Sequence, residues 1–213
     1  MNQTDIRLVC FDLDKTLITS NSWYDLNLAL GITHEEDTAM YDDYMAGKFS
    51  YQEWIKKLLE LFKRSPLANE KDVTEILSRY TLSEGAREAV NYVKEKGYHV
   101  ALISGSLDVL VDLVANDLDI ELAEATNELI FDAEGKLVDI ISPGDDKYIK
   151  LHHLESFARR LGIDIKECAC IGDGDNDIEM FRATGKGITF KGSKIESEAW
   201  KVIDRLTNLN TVL

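Results

Sequence analysis

Three short apolar runs, at residues 6–11 (IRLVCF), 99–103 (HVALI) and 168–171 (CACI), each stop abruptly at a polar cluster. Runs of this length, apolar on both faces and bounded by turn residues, read as buried strands of a parallel sheet. Between them the spacing turns helical. Residues 84–96, 107–118, 146–161 and 178–183 read as helices, with Gly97 and Gly162 placed to stop two of them. Strands alternating with helices imply an α/β fold with a doubly wound, mostly parallel sheet and helices on both faces. Residues 187–190 and 202–203 are expected as edge strands. Residues 123–130 and 137–141 flank Asp132-Ala133-Glu134-Gly135 as a short β-ribbon.

The alternation is broken once, directly after the first strand. From Asn21 to Tyr80 the apolar and aromatic residues recur at helical spacing, as in Tyr51, Trp54, Ile55, Leu58, Leu59 and Phe62. Residues 17–81 are therefore expected to form a helical cap inserted over the sheet's carboxyl edge. The core domain then comprises residues 1–16 and 82–213. The aromatic stripes of the insertion are expected to be the cap's own core.

A net charge of −15 repels nucleic acid and anionic membranes, so neither is an expected partner. It also repels a phosphorylated substrate, so any phosphate site must be built locally from cations and backbone N–H groups. Cys10, Cys168 and Cys170 lie in the strands with no metal-type spacing, and are expected as free, buried thiols of a cytoplasmic protein. The first residues lack the basic start and apolar stretch of a signal peptide, and no apolar run approaches the ~18 residues of a membrane span. A monomer or homodimer is expected.

The strands' carboxyl ends form the ligand crevice of an open parallel sheet, so the three polar clusters are expected to meet there. The first holds Asp12 and Asp14, two carboxylates that repel each other unless a cation binds or one is protonated. A hard divalent cation with oxygen ligands fits, and beside phosphate that is magnesium. The second, Ser104-Gly105-Ser106, suits phosphate-oxygen binding, although Ser106 could equally cap the following helix. The third, Gly172-Asp173-Gly174-Asp175-Asn176-Asp177, has the oxygen donors of a metal site without the continuing register of an EF-hand. Lys147 and Lys150, at the start of the preceding helix, could each bring a positive charge.

These residues resemble the haloacid dehalogenase superfamily. Its Asp-x-Asp-x-Thr motif is matched by Asp12, Asp14 and Thr16, its Ser/Thr motif by Ser104, and its acidic motif by Gly172 to Asp177. The cap position and the segment Met45-Ala46-Gly47-Lys48-Phe49 resemble the phosphoserine phosphatase-like group. Apolar residues four and seven positions after Lys150 favour it over Lys147 as the family's lysine.

The resemblance implies a magnesium-dependent phosphatase acting on a small phosphorylated metabolite. Asp12 would be the nucleophile and Asp14 the general acid and base. Asp12, the Asp14 carbonyl and Asp173 would hold the metal, with Asp177 near it. Ser104, Gly105, Lys150 and Asn176 would bind the phosphate or substrate. One departure bears on the substrate. The group's amine-binding glutamate falls at Asn21, and its carboxylate-binding arginine at Leu58, with Lys56 and Lys57 adjacent. A neutral or differently charged phosphomonoester is therefore expected ahead of phosphoserine. Trp23, Tyr24, Tyr44 and Trp54 are candidates for its pocket, although a core role is favoured for each. The alternatives are a true phosphoserine phosphatase, a phosphotransferase or mutase of the same superfamily, and a phospho-accepting receiver or scaffold protein.

Overall fold

The computed structural model describes residues 6–213. Its strands are β1 (Leu8–Phe11), β2 (His99–Leu107), β3 (Leu122–Phe131), β4 (Leu137–Ile141), β5 (Cys168–Ile171), β6 (Gly187–Phe190) and β7 (Lys201–Ile203), in the spatial order β4-β3-β2-β1-β5-β6-β7. All neighbours pair in parallel except β3 and β4. The expected ribbon of β3 and β4 is thus not separate: β3 also pairs with β2 and extends the main sheet. Of the two expected edge strands only β7 is an edge, because it covers the outer side of β6.

β1 is buried along its whole length and central, with Phe11 in register with Leu102 of β2 and Ile171 of β5. Its side chains alternate between faces. Val9 and Phe11 join the core that includes Val90, Val93, Leu110 and Val114 of α5 (Ala86–Glu95) and α6 (Asp108–Asp117). Leu8 and Cys10 join Leu154 and Phe157 of α7 (Asp146–Leu161) and Phe181 of α8 (Ile178–Thr184). All three cysteines are buried and free.

Residues 17–81 contain α1 (Ser22–Ala29), α2 (His34–Met45), α3 (Tyr51–Phe62) and α4 (Glu70–Leu77). Two starts are written locally. Thr33 with Glu36, and Ser50 with Glu53, form reciprocal capping boxes at α2 and α3, each capping side chain contributing about 1 kcal/mol. α3 buries Ile55, Leu58, Leu59 and Phe62, whereas α2 buries none of its side chains. The two passages between this stretch and the sheet run side by side: Thr19 N donates to Thr81 O, Ser83 N donates to Leu17 O, and Ile18 bridges Leu82.

The second cluster departs from its expected loop. β2 continues through Ser104, Gly105 and Ser106, and its pairing with β3 resumes at Leu107 after a register shift. Ser106 therefore does not cap α6. Leu107 holds that position and offers no side-chain cap.

Candidate active site

Because β1 lies between β2 and β5, the ends of these strands bring Asp12, Ser104 and Asp173 to one cavity of about 750 Å³. Asp12 is only 4% exposed. Its backbone N–H donates to Ile171 O at 2.8 Å, which ties the nucleophile candidate to β5.

Lys150 settles which lysine reaches this centre. It is fully buried, and its Nζ donates to Asp12 Oδ1 at 2.6 Å and to Asp177 Oδ1 at 2.7 Å. Burial opposes its charge, but the two carboxylates outweigh burial and hold its pKa above the ordinary lysine value. Lys147 pairs with Asp145 at 3.0 Å and lies outside this centre.

One lysine does not balance the acids around it. Carboxylate oxygens of Asp12, Asp173 and Asp177 all lie within 4.8 Å of one another. Burial, and then the Asp12 charge, push the Asp173 pKa up to about 6. Burial pushes Asp177 upward too, with Lys150 opposing. Three hard oxygen donors with one cation between them suit a divalent ion. Gly172 makes the packing possible, since a Cβ there would lie 2.1 Å from Asp177 Oδ2. Gly174 N donates to that same oxygen, and Thr189 Oγ1 donates to Gly172 O.

Asp14 has a different environment from Asp12. Lys15, between Asp14 and Thr16, adopts φ 55°, a left-handed conformation that costs a non-glycine residue about 1 kcal/mol or more. The chain then reverses and brings Ser22 back to the site. Ser22 Oγ donates to Asp14 Oδ2 at 2.7 Å and lies 2.5 Å from Ser106 Oγ. Asp14 Oδ1 is buried without a partner among the described residues. Burial pushes the Asp14 pKa up to about 7, with the Ser22 hydrogen bond opposing and Asp12 reinforcing. A carboxyl poised near neutral pH can give and take a proton at working pH.

Ser104 is 1% exposed and accepts Ser106 N at 3.1 Å. Gly105 O accepts Trp23 Nε1 at 3.0 Å and Asn127 Nδ2 at 2.8 Å. Asn176 and Asp146 press on Gly105: an added Cβ would lie 2.9 Å from Asn176 Nδ2 and 2.7 Å from Asp146 Oδ2.

The substrate-end expectations change more. Asn21 lines the cavity, but its Oδ1 accepts Tyr24 N as the cap of α1. Leu58 is buried in the cavity wall. Lys56 and Lys57 are exposed and do not line it, and Lys57 sits over the Phe49 ring, so neither replaces the missing arginine there. Trp23, Tyr24 and Trp54 line the cavity rather than serving only as core. Tyr44 stacks on Trp54 with ring centroids 5.0 Å apart. The helical stripe of α3 is thus divided, with Leu59 and Phe62 packed in the core, Ile55 and Leu58 buried but reaching the cavity wall, and Tyr51 and Trp54 only partly buried, at the cavity.

Ser22 as a partner of Asp14, and Asp146 beside Gly105, carry no signal in the sequence. Ser22 reads as an ordinary residue at a helix start, and Asp146 as a first-turn acid.

A family model for haloacid dehalogenase-like hydrolases matches residues 6–185. The phosphoserine phosphatase of Methanocaldococcus jannaschii is 29% identical over 208 residues, covering 97% of this chain and 96% of that protein. The phosphoserine phosphatase of Archaeoglobus fulgidus is 31% identical over 190 residues, but this chain spans only 54% of its length. A solved structure of a phospho-aspartyl intermediate analogue of phosphoserine phosphatase superposes with a TM-score of 0.80 at 29% identity, covering 98% of this chain and 99% of that one.

Proposed function

The chain belongs to the haloacid dehalogenase-like hydrolases, and from that premise we propose that it hydrolyses a small phosphomonoester through an aspartyl-phosphate on Asp12. The observation that carries this reading is the buried Asp12 carboxylate, held on one oxygen by Lys150 and within ligand-sharing distance of Asp173. The names of its relatives support the same chemistry.

In this reading an Asp12 oxygen attacks phosphorus while the bond to the leaving oxygen breaks. Splitting one displacement into two lowers each barrier. Asp14 gives its proton to the leaving alkoxide, then removes one from the water that attacks the phosphoryl-enzyme. That second displacement frees Asp12 and inorganic phosphate. Ser104, Gly105 and Lys150 bind the phosphoryl oxygens, where charge is spread in the transition state. Asn176 sits beside Gly105 and contacts substrate or orients Asp173. Magnesium would be held by Asp12, the Asp14 carbonyl and Asp173, with Asp177 beside it, and when bound would cancel charge and hold phosphate against the nucleophile. Residues 17–81 act as the cap that closes over the cavity and excludes bulk water. No helix among the described residues is long and apolar enough to cross a membrane. Buried free thiols suit a cytoplasmic setting.

The test is phosphate release from p-nitrophenyl phosphate and a panel of small phosphomonoesters. Turnover is expected with magnesium and lost on chelation. Failure to release phosphate from every ester, with magnesium present, would end the reading.

A second expectation concerns Asp14. The first transfer needs its protonated form, so kcat/KM should fall above a pH of about 7. The Ser22 hydrogen bond lowers the Asp14 pKa, so Ser22→Ala should raise it and move that limb to higher pH. An unmoved limb in the variant's pH–rate profile would separate Ser22 from the proton transfer.

A further inference from the structure

Gly105 has no Cβ, so its backbone is the freest in the phosphate-binding segment. The sheet does little to restrain it. β1 pairs with β2 only as far as Leu102, and the pairing of β2 with β3 shifts register between Ser104 and Leu107. Side chains must therefore fix this segment.

Trp23 Nε1 donates to Gly105 O at 3.0 Å, and Asn127 Nδ2 donates to the same oxygen at 2.8 Å. At the other end of that peptide, Ser106 N donates to Ser104 Oγ at 3.1 Å. The C=O and N–H of a planar trans peptide point in opposite directions, so donors that hold Gly105 O also set the direction of the Ser106 N–H. Donors on the carbonyl polarise the peptide as well, which strengthens its N–H. Ser104 Oγ accepts there, which leaves its own proton to donate, and Ser104 lines the cavity together with Asp12.

Trp23 comes from the inserted stretch and not from the sheet. It follows Asn21, whose Oδ1 accepts Tyr24 N at the start of α1, and precedes the fully buried Leu26. α1 is thereby anchored with the Trp23 indole N–H on Gly105 O and the ring at the cavity. Asn127 is 1% exposed, and its Oδ1 accepts the Tyr51 hydroxyl of α3 at 3.3 Å. Side chains of α1 and α3 thus reach the peptide that presents the phosphate donors.

We propose that Trp23 is a positioning residue for phosphoryl transfer. Its indole N–H, with Asn127 as counterpart, locks the Gly105–Ser106 peptide so that the Ser104 hydroxyl and the Gly105 N–H face the phosphoryl group. The proposal rests on the phosphatase reading above and gives a cavity-wall ring a part in the chemistry. Because Trp23 acts at the phosphate end of the site, its effect does not depend on the leaving alcohol.

The test is Trp23→Phe, which keeps an aromatic ring at the wall and removes the donor. With magnesium, kcat/KM for p-nitrophenyl phosphate and for each small phosphomonoester is expected to fall by about tenfold, the scale of one buried hydrogen bond. The factor should be similar for every ester and appear chiefly in kcat. Competitive inhibition by orthovanadate, which occupies the phosphoryl position and carries no leaving alcohol, should weaken by about the same factor. A ring that serves only as wall gives the opposite pattern, a change in KM that varies from ester to ester with vanadate inhibition unmoved. That pattern overturns the proposal, as does activity within about twofold of the wild type throughout. Asn127→Ala removes the other donor and should reproduce the uniform loss, and it decides the question if Trp23→Phe does not fold. Either overturning pattern leaves the phosphatase reading intact. Failure of the wild type to release phosphate from any ester ends both.

Discussion

Asp12→Asn is expected to lower phosphate release by about 10⁴-fold or more, because a neutral amide oxygen does not supply the electron pair that forms the acyl phosphate. The substitution preserves the side chain's shape. It also removes one of the two carboxylates that hold Lys150. The fold should survive, since β1 is anchored by parallel neighbours on both sides and Lys150 keeps Asp177. Steady-state turnover and trapping of the phosphoryl-enzyme together check this. The wild type should yield an acid-stable, hydroxylamine-sensitive phosphoprotein with one modified residue, and the variant none. Comparable turnover by the variant, once contaminating phosphatase is excluded, would place the nucleophile elsewhere.

Most of the scaffold of this site is legible in the sequence because its signals are local. Residues 8–11 and 168–171 are buried on both faces, so their strands appear as unbroken apolar runs. Parallel topology then brings Asp12 and Asp173 to one edge without further information. Other features depend on contacts between distant segments. Lys147 and Lys150 are one helical turn apart and similar in sequence, and only the positions of Asp145, Asp12 and Asp177 separate them. Ser104 to Ser106 look like a loop because they are short and polar. They remain extended because Trp23 and Asn127 satisfy Gly105 O, and Ser22 meets Ser106. Tyr51 and Trp54 occupy the same helical stripe as Ile55 and Leu59. Periodicity shows that the stripe faces inward, but it does not distinguish a packed interior from a cavity. The substrate wall is least legible for the same reason: a cavity is defined by which side chains fail to meet.

Lys150 gives the second large effect, and here stability and activity should separate. Lys150→Met keeps the length of the side chain but leaves Asp12 and Asp177 without their shared cation. Breaking a buried pair by removing one partner costs about 3–5 kcal/mol, because the remaining charge stays buried and uncompensated. Asp177 is fully buried, so solvent does not relieve it. Urea unfolding in the presence of a chelator should therefore show a loss approaching that size at alkaline pH, where Asp177 stays ionised, and a smaller loss near neutral pH, where burial, no longer opposed by Lys150, lets Asp177 take up a proton. Activity should fall by about 10²–10³-fold, the scale of one lost charge-stabilising contact in the transition state. Adding Asp177→Asn to Lys150→Met removes the stranded carboxylate, so it should recover a large part of the stability while leaving activity low. If Lys150→Met alone costs nothing, Asp12 and Asp177 must share a proton rather than face each other as anions. The lysine would then be needed only for phosphate, and the double variant would be no more stable than the single one.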